Sequence, residues 1–249
     1  MTSTRLTPRI EVRPAADRDR TRIAWLDSKH SFSFGGHHDP ANTHHGLLLV
    51  NNDDVVKAGT GFETHPHQDM EIVTWVLSGR LEHQDSEGNC GELYPGLAQR
   101  MSAGTGIWHS EMNPSGDEGV HFVQMWVVPD ESGKTPGYQQ LEIDDELLRG
   151  KLVTIASGMP GHSNDTAITI GQRNAALHGA RLEPGDSVEL PSAKYLHLFV
   201  ARGEVALEGA GPLQEGDAVR LTASGGQRVT ATTPAEILVW EMHADLSGS

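Results

Sequence analysis

Short runs of β-branched, aromatic and aliphatic residues recur along the chain, and each is stopped within a few residues by a turn signal. Glu71 to Leu77 ends at Ser78-Gly79, and His121 to Val128 ends at Pro129. Gly46 to Val50 runs into Asn51-Asn52-Asp53-Asp54, which reads as a turn. Further strand runs fall at Leu152–Ile155, Ala167–Ile170, Tyr195–Val200 and Ile237–Met242. Turns fall between them at Pro184-Gly185-Asp186, Arg202-Gly203 and Gly216-Asp217. Gly61 and Gly79 stand 18 residues apart, and so do Gly185 and Gly203. This echo predicts a degenerate internal duplication, and with it an all-β chain of two antiparallel barrels in tandem. Asp130–Gln140, rich in Gly, Pro and Ser, is the expected linker, so the units are 1–131 and 132–249. Asp144–Arg149 predicts one short helical turn, closed by Gly150.

Composition narrows function. With 249 residues the chain can bury a core without disulfides. The formal charge of −15 repels phosphate backbones and anionic membrane surfaces, which argues against direct nucleic-acid or membrane partners. The single cysteine, Cys90, has no activating base beside it and reads as a loop thiol; the count fits a reducing compartment. Met1–Arg20 lacks the apolar stretch of a secretion signal, and no run is long enough to span a bilayer. A cytoplasmic location is the expectation.

Chemistry concentrates in one stretch: His65-Pro66-His67, Glu71, and then His109-Ser110-Glu111. In a strand, residues two apart share a face, with Cα atoms roughly 7 Å apart. His65 and His67 therefore point together, and so do His109 and Glu111. If the two strands are neighbours inside a barrel, four donors converge. Imidazole and carboxylate suit a borderline divalent metal such as Fe, Mn, Co, Ni, Cu or Zn. An octahedral ion would keep positions for substrate or O2, whereas a tetrahedral structural zinc would keep none. On spacing alone, either Glu71 or Glu111 can supply the carboxylate.

This stretch resembles the cupin superfamily, whose first motif reads G-x5-H-x-H-x3,4-E-x6-G. Here it runs from Gly59 through His65, His67 and Glu71 to Gly79, one residue long at the end. The second motif is matched less well: Gly96, Gly104, His109 and Asn113 are present, but Ser102 replaces its proline. The departures resemble the pirin family, which carries H-P-H in the first motif and H-S/A-E in the second. His30-Ser31-Phe32-Ser33-Phe34-Gly35 and Asp39-Pro40 are also similar to that family's opening segment. The resemblance is dense over residues 28–128. It implies two cupin barrels, the first holding one metal on His65, His67, His109 and Glu111, with Glu71 a polar residue nearby. Fe2+ is the expected ion. The second barrel has Glu189 and Pro191 where the first has His65 and His67, so no metal is expected there.

Other residues are weighed singly. His37, His38, His44 and His45 read as a solvated loop, and His83, His162, His178 and His243 as surface. His197 reads as a structural histidine. Trp108, opposite in parity to His109, reads as core. Phe122, Gln124 and Trp126 share a strand face that either lines the metal pocket or packs between barrels.

The resemblance implies a metal-dependent dioxygenase that cleaves flavonols such as quercetin, with a small aromatic substrate and O2 as reactants. Glu111 is the expected catalytic base. The alternative is an iron-dependent redox sensor that regulates a protein partner. An open pocket reaching the metal would favour the enzyme; an exposed apolar or charged patch without a pocket would favour the sensor. A sugar isomerase is weaker, because residues 59–113 offer only Arg80 and Arg100 to hold a phosphate.

Overall fold

The computed structural model describes residues 6–143 and 150–246, and the helical turn expected at 144–149 lies outside them. The first half supplies β1 (Arg9–Arg13), β2 (Asp19–Arg22), β3 (Leu26–His30), β4 (Leu48–Val56), β5 (Gly61–His67), β6 (Glu71–Ser78), β7 (Leu81–Asp85), β8 (Cys90–Leu93), β9 (Leu97–Ser102), β10 (Ile107–Met112) and β11 (Val120–Val127). The second supplies β12 (Gly137–Glu142), β13 (Val153–Ser157), β14 (Ile168–Thr169), β15 (Ala175–Leu182), β16 (Ser187–Glu189), β17 (Ala193–Arg202), β18 (Glu204–Leu207), β19 (Gly211–Gln214), β20 (Ala218–Ser224), β21 (Arg228–Ala231) and β22 (Ala235–Met242). Among the described residues the only helical pieces are 3-10 turns at Ala15–Asp17 and Pro160–His162.

The strand plan is used twice. One barrel pairs a sheet containing β9-β6-β11-β4 with a four-stranded sheet β5-β10-β7-β8; the other pairs β20-β17-β22-β15 with β16-β21-β18-β19. Adding eleven to each label of the first barrel gives the second, which is the duplication expected from the glycine spacing. Gly79 and Gly203 sit at matching turns, both with positive φ, and in both a Cβ would collide with backbone.

The division at 131/132 needs correction at two strands. β12 does not act as linker but pairs with β9 of the first barrel, and β1 pairs with β20 of the second. Each half thus lends its leading strand to the other barrel. The seven-stranded sheets meet through a mixed core that includes Phe32, Trp75, Met125, Leu177, Phe199 and Trp240. Polar ties cross the same seam: Trp75 Nε1 donates to Glu236 (2.5 Å) and Arg202 to the Leu77 carbonyl (2.8 Å).

Asn51–Asp54 is not a turn but the middle of β4, and all four residues are buried. Partners make this tolerable: Asn52 meets His30, while Asp53 meets Arg18 and His121. Cys90 opens β8 and is exposed.

Candidate metal centre

β10 lies between β5 and β7, so its inward side chains meet those of both. His109 stands opposite His65 on one side and Asp85 on the other; Glu111 stands opposite His83. A bulge between β5 and β10 absorbs an extra residue of β5, so that Glu111 faces Phe62. His65, His67 and His109 place one donor nitrogen each within 4.8 Å of one another. Glu111 belongs to an overlapping group with His83 and His109. His109 therefore joins all the donors, and Glu111 stands beside the three-histidine group rather than within it. Gln124 explains its position, because its Nε2 donates to both carboxylate oxygens (2.9 and 2.7 Å).

The donor chemistry fits a metal. His65 Nδ1 lies 2.7 Å from the Glu63 carbonyl, which makes it the N–H and leaves the Nε2 lone pair facing inward. That Nε2 is 3.1 Å from His109 Nε2. His67 Nε2 is buried without a hydrogen-bond partner. Burial, reinforced by the neighbouring imidazoles, lowers His67 to about 4 and His109 to about 3, so both rings are neutral at neutral pH, the form a metal-binding imidazole takes. Neutral imidazoles gathered this closely, with His67 Nε2 buried and unpaired, present lone pairs that a cation can meet.

Behind His109 lies a residue that reading the sequence missed. His83 is buried rather than on the surface, with Nδ1 3.5 Å from His109 Nδ1 and Nε2 3.1 Å from Asp85. Its ring packs on Tyr138 at 4.8 Å. The signal was the alternation Leu81-x-His83-x-Asp85, which has the same period as His109-x-Glu111.

A cavity of about 750 Å³ reaches the cluster, with His65, His67 and Glu111 on its wall. Trp25, Phe34, Phe62 and Trp126 supply apolar surface, and Trp126 meets the His67 ring edge-on at 4.9 Å. The shared face of Phe122, Gln124 and Trp126 thus divides: the last two line the cavity, and Phe122 is packed in core. Trp126 Nε1 donates to Gln124 Oε1 (3.1 Å), fixing the amide that holds Glu111.

Glu71 is buried outside the cluster, accepting from Ser102 (2.7 Å). Trp108 is 54% exposed instead of core, because strand parity turns it outward from a four-stranded sheet that no described residue covers at that point. His178 is also buried rather than surface, bonded to Glu241 at 2.9 Å, and His45 reaches the Leu221 carbonyl instead of being solvated. His197 is fully enclosed beside Phe32, as a structural residue should be.

A family model described as Pirin matches residues 12–127, and one described as Quercetinase C-terminal cupin domain matches residues 154–242. A Mycobacterium tuberculosis protein provisionally named a quercetin 2,3-dioxygenase is 64% identical over 244 residues, 98% of this chain and 99% of its own. The Escherichia coli K12 protein named quercetin 2,3-dioxygenase is 37% identical over 94% of this chain and 98% of its own. The crystal structure of the E. coli bacterial pirin YhhW in complex with nickel(II) superposes with TM-score 0.85 at 34% identity, covering 96% of this chain and 100% of that one.

Proposed function

The chain belongs to the pirin family, and from that premise we propose that it is a metal-dependent dioxygenase cleaving flavonols such as quercetin. One observation carries the reading: an aromatic-walled cavity of about 750 Å³, within the usual size of small-molecule sites, ends on the histidine cluster. A redox sensor needs no such entrance, so the cavity favours catalysis over regulation.

In this reading His65, His67 and His109 hold the ion and Glu111 completes the set. These nitrogen and oxygen donors suit Fe2+, and Mn, Co, Ni, Cu or Zn by the same chemistry. Bound there, the metal supplies Lewis acidity toward a phenolic hydroxyl and redox chemistry with O2. Glu111 takes the proton from the flavonol 3-hydroxyl. Gln124, held by Trp126, keeps that carboxylate aimed, and protonation of Glu111 would weaken the bonds Gln124 makes to it. Trp25, Phe34 and Phe62 receive the flat rings and exclude water from the reacting edge.

The test is anaerobic reconstitution with each ion in turn, followed by quercetin and O2, reading flavonol absorbance and released carbon monoxide. Metal-dependent turnover that disappears in Glu111→Ala is the expected result. Stoichiometric metal with no turnover under any ion would overturn the enzymatic reading in favour of the sensor.

A further inference from the structure

Besides Glu111 and the exposed Glu63, the cavity wall carries a third carboxyl group, Asp54, on the other sheet of the barrel from both. Asp54 stands on β4 in a cross-strand row with Ser28 and Phe122, pointing into the barrel. It is 3% exposed. The Ser28 hydroxyl donates to the carboxylate, but Oδ1 has no hydrogen-bond partner. Burial pushes its pKa up to about 7, with Asp53 and Glu111 adding to the effect.

Asp53, next in the chain, shows what a structural carboxylate looks like here: it is tied to Arg18 and His121. Among the described residues Asp54 has no bonded cation, and it keeps one free acceptor, an expensive arrangement in a buried wall. The Asp54 side chain lines a cavity whose other surface includes Trp25 and Phe62, packed edge to face at 5.2 Å, with Oδ1 itself sealed just beneath that wall. The complementary ligand is a flat aromatic presenting a hydroxyl donor to that carboxyl, which a turn of the Asp54 side chain brings to the surface of the cavity.

We propose that Asp54 is a specificity-determining residue whose carboxyl accepts a hydrogen bond from a ring hydroxyl distant from the one that meets Glu111. The site then selects aromatics with at least two separated hydroxyl groups. This deepens the dioxygenase reading and rests on it for the class of substrate.

The experiment uses the metal-loaded full chain without oxygen. Quenching of tryptophan fluorescence gives the Kd for quercetin and for 3-hydroxyflavone, which keeps only the hydroxyl destined for Glu111. At about pH 8, where Asp54 is mostly ionised, the native protein should prefer quercetin by about tenfold or more, the scale of one charge-assisted hydrogen bond. Asp54→Ala should erase that preference while holding 3-hydroxyflavone within about twofold, and Asp54→Asn, which keeps a carbonyl acceptor, should restore part of it. Circular dichroism and metal stoichiometry establish that each variant is folded and loaded. Should the alanine variant not fold, the native preference and the asparagine variant decide. No native preference, or equal losses for both flavonols, overturns the proposal. Adding O2 separates the two readings. Asp54-dependent binding without turnover sinks the dioxygenase and leaves the hydroxyl site standing; turnover indifferent to Asp54 does the reverse.

Discussion

Across the second barrel, Val219, Leu198 and Val239 form an aliphatic interior row that ends against the buried His178 on β15, beside a core cluster that is aliphatic throughout. Across the first, His30, Asn52, Gln124, Thr74 and Gln99 form a row on five neighbouring strands, all buried and all polar. Among the described residues, Thr74 Oγ1 and Gln99 Oε1 have no hydrogen-bond partner. The histidines also differ in grouping. In the second barrel His178 and His243 are bound to Glu241 at 2.9 and 2.7 Å and His197 stands enclosed with neither nitrogen bonded among the described residues, whereas His65, His67 and His109 turn ring nitrogens toward each other. One strand plan thus yields an aliphatic-filled buttress and a polar-lined barrel that opens on a cavity; buried polar atoms without partners among the described residues occur in both, at His67, Thr74 and Gln99 in the first and at His197 and Trp240 in the second.

The sharpest way to break this contrast is to remove the shared donor. His109→Ala should cut metal affinity by more than about a hundredfold, while His178→Ala leaves stoichiometry intact. Metal analysis after dialysis reads both, and circular dichroism should show the barrel still folded, since its core clusters are apolar. A His109→Ala protein that keeps one metal per chain would sink the ligand assignment. Next in size is packing. Leu198→Ala should cost about 2–5 kcal/mol in urea unfolding, whereas Thr74→Val, which removes an unpaired hydroxyl, should be neutral or stabilising. Equal losses would mean that the first barrel's polar row is as tightly integrated as the aliphatic core.

Much of this division was legible in the sequence because strand period fixes which side chains share a face. His65 with His67, and His109 with Glu111, needed only that rule and a pair of neighbouring strands. What failed depended on partners far along the chain. Asn51–Asp54 has turn composition, and it lies in a buried strand because β3 and β11 pair with it and Arg18, His30 and His121 meet its polar side chains. The exchange of β1 and β12 leaves no local trace, since pairing with β20 and β9 is a tertiary choice. Trp108 is apolar at an outward position, and composition cannot reveal that its sheet face is uncovered.

His83 offers a subtler test, because it is not among the residues lining the cavity and its ring faces His109 from behind. His83→Phe keeps a ring against Tyr138 but removes the nitrogen facing His109 Nδ1 and the bond to Asp85. Outer partners of metal-binding histidines typically contribute about 10–100-fold in affinity. Competition with a chelator should show a loss of that order with stoichiometry retained at saturating metal. Unchanged affinity would reduce His83 to packing.

The smallest expected effect lies at the seam between the barrels and is silent at neutral pH. His197 is fully buried, and burial, aided by nearby Arg220, His45 and Arg18, holds it well below its ordinary value near 6.5. Above pH 6.5 the ring is neutral both folded and unfolded and contributes no pH dependence. Below it the unfolded chain binds a proton that the folded protein refuses, so stability falls as pH drops. The slope from this one group approaches about 1.4 kcal/mol per pH unit. His197→Leu should remove about one proton's worth of that slope between roughly pH 6.5 and 5, measured by urea unfolding of both proteins in the same metal state. His45, lowered to about 4, titrates in the same direction and is present in both proteins. Its contribution cancels when the substitution leaves its bond to the Leu221 carbonyl undisturbed, and repeating the comparison in a His45→Gln background checks that. An unchanged slope would mean that His197 is protonated in the folded state, and that the seam tolerates a third cation beside Arg18 and Arg220.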